Sequence, residues 1–62
     1  MIPNDPNILL SVINMKLRDF YSSLDKLCDD LDYDKNLIEE KLRKINYYYD
    51  MDINQFKEIN YD

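Results

Sequence analysis

None of the 62 residues is glycine. Every reversal that needs a left-handed backbone must therefore be made by a residue carrying a Cβ, and asparagine bears that conformation better than most. The condition acts first on "KINYYYD", residues 44–50, where Asn46 follows a helical pattern and is placed to end it. It acts again in "YYYDMDINQF", where a polar corner at Asp50 to Asp52 separates two runs of strand-forming residues and predicts a β-hairpin over about residues 47–57. Without glycine a two-residue turn is disfavoured, so a loop of about three to five residues is expected. A bare hairpin is barely stable, so this one must pack on the rest of the chain.

The rest of the chain reads as helix. Asp5-Pro6 pairs an N-cap with proline at the first helical position, where its missing N–H costs nothing. The helix that follows, over about residues 6–21, places Leu9, Leu10, Ile13, Leu17 and Phe20 on one face and Ile8, Val12 and Met15 on a second. Ser22 and Ser23 offer the next cap, with Asp25 three residues after Ser22 in capping-box position. Leu24, Leu27, Cys28 and Leu31 then define a short helix over about 23–31, with Asp25, Asp29 and Asp32 facing outward. Asp34 caps a third helix over about 35–45, whose buried stripe is Ile38, Leu42 and Ile45. On its surface Glu39 precedes Arg43 and Glu40 precedes Lys44 at the spacing of favourable ion pairs. The expected fold is one domain, residues 1–62, mainly α with a small C-terminal hairpin. Its three helices include a helix-turn-helix, and with the hairpin they form a winged-helix-like pattern.

"DDLDYDKNLIEEKL", residues 29–42, sets Asp30, Asp32, Asp34 and Asn36 on alternate positions, as a calcium loop would. The match fails at two places. Lys35 stands where the loop needs glycine, and Lys41 stands where the bidentate glutamate belongs. The stretch reads as an acidic corner between two helices, and no metal is expected.

Composition removes other functions. There is no histidine, so the usual general base and imidazole ligand are missing. The single cysteine makes neither an internal disulfide nor a zinc site, lies on an apolar stripe, and suits a reducing cytoplasm. No enzyme and no cofactor is expected. The N-terminus lacks a basic leader, its apolar run is too short for a signal core, and no segment approaches a membrane span.

Net charge is −5, unevenly spread. Residues 25–34 carry five aspartates against Lys26, while residues 35–48 carry Lys35, Lys41, Arg43 and Lys44 against Glu39 and Glu40. If the third helix read DNA, Asn36, Arg43 and Lys44 would make the contacts, yet Glu40 sits at the centre of that face and the domain as a whole repels phosphate.

"DPNILLSVINMKLRDFYSSLDKLCDDLDYD" and "YYYDMDINQF" together resemble a family of short bacterial proteins known only as a domain of unknown function, over about residues 3–56. The likeness runs through Asp5-Pro6, Asn14, Lys16, Arg18, Asp19 and Asn54-Gln55-Phe56, and the family commonly has glycine where this chain has Asn46. It implies a stand-alone bacterial protein and supplies no activity. It also directs attention to Asn14, Lys16, Arg18, Asp19, Asn54 and Gln55, read as ties between the first helix and the hairpin rather than as a surface. The functional expectation is a protein-interaction module. The second apolar face of the first helix, Ile8, Val12 and Met15, is its candidate contact with a homodimer mate or a protein partner. A small DNA-binding protein is the alternative.

Overall fold

Three side-chain caps divide the chain before any long-range contact is counted. The Asp5 carboxylate accepts the Asn7 N–H at 2.8 Å, and α1 runs Pro6–Asp19. The Ser23 hydroxyl accepts the Lys26 N–H at 3.1 Å, and α2 runs Leu24–Leu31. Asp34 accepts the Asn36 and Leu37 N–H groups at 3.0 and 3.3 Å, and α3 runs Lys35–Arg43. Each such cap satisfies amides that the helix itself leaves orphaned, and is worth about 1 kcal/mol. Strands β1, Tyr47–Asp50, and β2, Gln55–Glu58, then pair antiparallel with Tyr49 opposite Phe56. The computed structural model describes residues 2–60.

The predicted architecture is present: three helices followed by a hairpin. Its details correct the sequence reading in four places. Helix α1 stops at Asp19 because the Lys16 carbonyl takes both the Phe20 and Tyr21 N–H groups, closing the last turn. Phe20 becomes the C-cap and points outward, 70% exposed, instead of extending the buried face. Helix α3 stops at Arg43, since Ile45 and Asn46 bond to Leu42 and Arg43 three residues back, in a tighter turn. The capping box built on Ser22 does not form. Ser23 is the cap, and Asp25 instead meets Lys35 of α3 at 2.8 Å.

The core is assembled from every element that has a face to give. Leu9, Ile13 and Leu17 of α1, Leu24, Leu27 and Cys28 of α2, Ile38 and Leu42 of α3, and Phe56 of β2 are buried together. Leu10, Leu31, Ile45, Tyr47 and Tyr49 pack against this cluster and stay partly exposed. Tyr49 and Phe56 stack at a tilt, 5.6 Å between ring centroids.

Polar groups join the hairpin to α1. The Asn14 side-chain amide donates to the Phe56 carbonyl at 3.1 Å and accepts the Phe56 N–H at 2.7 Å, as a neighbouring strand would. Asn54 donates to the Leu17 and Tyr21 carbonyls at 3.0 and 2.9 Å, so a hairpin residue caps the C-terminal end of α1. The Tyr49 hydroxyl donates to Asn54 and accepts the first amide of α2, that of Leu24, at 3.2 Å. Gln55 donates to the Asn14 carbonyl at 3.0 Å. Asn14, Asn54 and Gln55 are thus ties between helix and hairpin. Lys16, Arg18 and Asp19 make no such tie, and Arg18 spends its guanidinium on the neighbouring Asp19 with two 2.9 Å contacts. Those bonds hold the exposed Asp19 carboxyl below the usual carboxylate range.

Among the described residues three have a left-handed backbone: Asp32 (φ 57°), Asn46 (φ 66°) and Asn54 (φ 52°). Similar torsions carry different obligations. Asp32→Gly is expected to be neutral or stabilising by up to about 1 kcal/mol, since glycine removes the Cβ penalty. Asn54→Gly is expected to cost at least about 2 kcal/mol, because the carbonyls of Leu17 and Tyr21 lose their donor. Urea denaturation followed by circular dichroism compares the two directly.

Candidate interaction surfaces

Helix α1 is covered on one side only. Ile8 is 55% exposed and Met15 is 37% exposed, with Val12 half-buried between them at the i, i+4, i+7 spacing of one stripe. From Pro6 to Met15 the helix carries no charged residue, so no ionic group borders this stripe along its own helix. The core is closed without Ile8 and Met15. Phe56, the large apolar residue of the hairpin, is committed to the core and does not cover them.

Helix α3 presents two surfaces where the sequence suggested one. Lys35, Glu39 and Arg43, four residues apart, form one wall of a groove of about 310 Å³, whose other wall is Tyr47, Tyr48, Tyr49, Met51 and Phe56. Asn36, Glu40 and Lys44 are exposed. The Glu39–Arg43 and Glu40–Lys44 ion pairs do not form. Among the described residues the ion pairs are Arg18–Asp19 and Lys35–Asp25. Surface pairs of this kind return little for the side-chain entropy they cost, which accounts for their absence. Arg43 and Lys44 are therefore exposed without a carboxylate partner.

The acidic corner between α2 and α3 is structural at its centre. Asp32 is the left-handed C-cap of α2, and Asp34 spends a carboxylate oxygen on two amides of α3. Asp30 accepts the hydroxyl of Tyr21, and this bond keeps the phenol protonated above its ordinary range. Among the described residues no three acidic, histidine or cysteine groups converge as metal ligands would. Cys28 is 6% exposed on the inner face of α2, and burial pushes its thiol up. A protonated, enclosed thiol is a poor nucleophile.

Sequence reasoning singled out Asn14, Asn54 and Gln55 only through family likeness, and missed Tyr49 as a cap for α2. The signal for Tyr49 is weak, because a tyrosine in a hairpin ordinarily divides between core and surface. Its hydroxyl partner lies 25 residues away in sequence.

Residues 3–56 match a family described as a domain of unknown function, DUF4250. The chain belongs to the DUF4250 family. No curated protein and no solved structure matches it. The matched residues run from before the Asp5 cap of α1 to Phe56 in β2. No helix of this DUF4250 chain, among its described residues, is long and apolar enough to cross a membrane.

Two measurements follow from the acidic corner and the buried thiol. Calorimetric titration with calcium is expected to give no sub-millimolar binding, because the Asp30 and Asp34 carboxylates are spent on the Tyr21 hydroxyl and the α3 amides and Lys35 and Lys41 oppose the ion. A thiol reagent is expected to label native Cys28 far more slowly than the urea-unfolded chain, since the enclosed thiol holds its proton.

Proposed function

We propose that this protein is a non-enzymatic interaction module that works through the outer face of α1, and that a second copy of the chain covers that face. The observation that carries the reading is the exposed stripe Ile8, Val12 and Met15 on a helix whose opposite face already completes the core. Charged residues are depleted at the centre of protein interfaces, and this stretch has none. A small domain has a thin core, and association enlarges it. A two-fold dimer is the commonest closed arrangement and uses one self-complementary patch. The lack of histidine and the enclosed thiol support the non-enzymatic part. A single unpaired cysteine supports a cytoplasmic setting.

Arg43 and Lys44, exposed and without carboxylate partners among the described residues, support a second reading as a small DNA-binding protein that uses Asn36, Arg43 and Lys44. It ranks lower because Glu40 shares that face and the aspartates of the α2–α3 corner stand at the start of α3. Titration with duplex DNA at physiological salt separates the readings. Binding tighter than the roughly micromolar limit of non-specific contacts, weakened by Lys44→Glu, would favour DNA.

Sedimentation tests the first reading. The unmodified protein is expected to self-associate between micromolar and millimolar concentration. Met15→Glu is expected to be monomeric with unchanged helical circular dichroism, because Met15 lies outside the core. A wild-type monomer throughout that range would overturn self-association.

A further inference from the structure

The two edges of the hairpin are treated differently. In an antiparallel ladder the N–H and C=O of one residue point to the same side, and the pointing alternates along the strand. Both groups of Phe56 are taken by Asn14, so they point away from β1 and toward α1. Tyr49, directly opposite Phe56, must then point its own N–H and C=O away from β2, and so must Tyr47 two residues earlier. The Ile59 N–H donating to the Asn46 carbonyl at 2.7 Å is in phase with this pattern. The outer edge of β2 is closed by a side chain that imitates a strand. Among the described residues no group bonds the outward main-chain groups of Tyr47 and Tyr49, and β1 borders the groove beside α3.

Exposed edges are usually blunted by lysine, proline or a bulge. The β1 sequence, Tyr-Tyr-Tyr-Asp, has none of these and is rich in strand-forming side chains. Across the groove stand Lys35, Glu39 and Arg43. Among the described residues Arg43 has no carboxylate partner, and the partner of Lys35, Asp25, is itself exposed. The orientation is settled by the neighbours: Lys35 lines a second hollow with Tyr49 and Met51, so β1 runs back along α3.

We infer that the β1 edge accepts an extended acidic segment of a partner protein as a third strand, its main chain bonded to Tyr47 and Tyr49 and its carboxylates facing Lys35 and Arg43. The spacing suits such a strand. The eight helical steps from Lys35 to Arg43 span about 12 Å, and four steps along a strand span about 13 Å. Acidic residues four apart in the segment lie on one face and reach both cations, while the residue midway between them faces Glu39 and is not acidic. A second copy of this chain is a poorer occupant, because its own β1 edge is flanked by its own α3. Edge-to-edge pairing would crowd both helices and their cations onto one seam. This surface is distinct from the α1 stripe.

A displayed library of random octapeptides, selected on the intact protein, supplies the probe. Selected peptides are expected to carry acids four apart, to slow amide exchange at Tyr47 and Tyr49, and to lose binding when alternate backbone nitrogens are N-methylated. Arg43→Glu is expected to weaken them by about tenfold, the loss of one charge-assisted contact. An exposed position at the end of α3 tolerates that change, and unaltered exchange in α1 and α2 verifies that the fold persists. The inference is overturned if no peptides are enriched, if the enriched ones lack the acidic pair, if N-methylation leaves affinity unchanged, or if protection maps to α1.

Discussion

The fold depends on one side-chain amide. Asn14, midway along α1, meets both backbone groups of Phe56, and without it the strand that delivers Phe56 to the core would bury a bare edge against a helix. An unsatisfied backbone pair in a partly enclosed place costs more than the hydrogen bonds return when made. Asn14 therefore fixes which residue of β2 faces α1, and the register of the hairpin follows. Asn54 and Tyr49 extend the same logic to the helix ends, taking a last-turn carbonyl of α1, that of Tyr21 just beyond it, and the first amide of α2. A domain with so thin a core uses polar bonds as locators for its apolar contacts.

Much of this architecture was legible in the chain. Asp5-Pro6, Ser23 and Asp34 are local signals, and each element begins where its cap allows. The apolar spacings of α2 and α3 likewise point to the buried residues Leu24, Leu27, Ile38 and Leu42. The C-terminal limits of α1 and α3 were less legible, because shared and shortened hydrogen bonds in the last turn leave no mark in composition. Asn46 was readable as a left-handed residue. Asp32 and Asn54 were not, although a chain without glycine must fill such places with aspartate or asparagine, and that rule would have found them. The ion pairs expected on α3 show the opposite error: correct spacing with too little energy behind it.

For the candidate surfaces the division is similar. The stripe Ile8, Val12 and Met15 emerges from periodicity alone, because a helix with two apolar faces has one more than its core needs. The groove beside β1 does not. It arises where a helix and a strand distant from one another in hydrogen-bonding pattern happen to run side by side, and its two walls share no local sequence rule. Charge explains why both faces can coexist on an acidic protein. The aspartates gather at the α2–α3 corner, which leaves the Pro6–Met15 stretch of α1 uncharged and the groove wall with more cation than anion.

The clasp between Asn14 and Phe56 joins residues 42 positions apart, and the Asn54 contacts join positions 37 and 33 apart. Closing so long a loop costs entropy that local contacts do not repay in advance. The α2–α3 pair can form early, being near in sequence, while α1 lacks its cap and its strand neighbour until the hairpin exists. As the chain emerges during synthesis, the first helix made is thus the last one secured. In that interval its core-facing residues Leu9, Ile13 and Leu17 are exposed to whatever else is nearby, and the final strand, bringing Phe56 onto them, acts as the latch that ends the exposure.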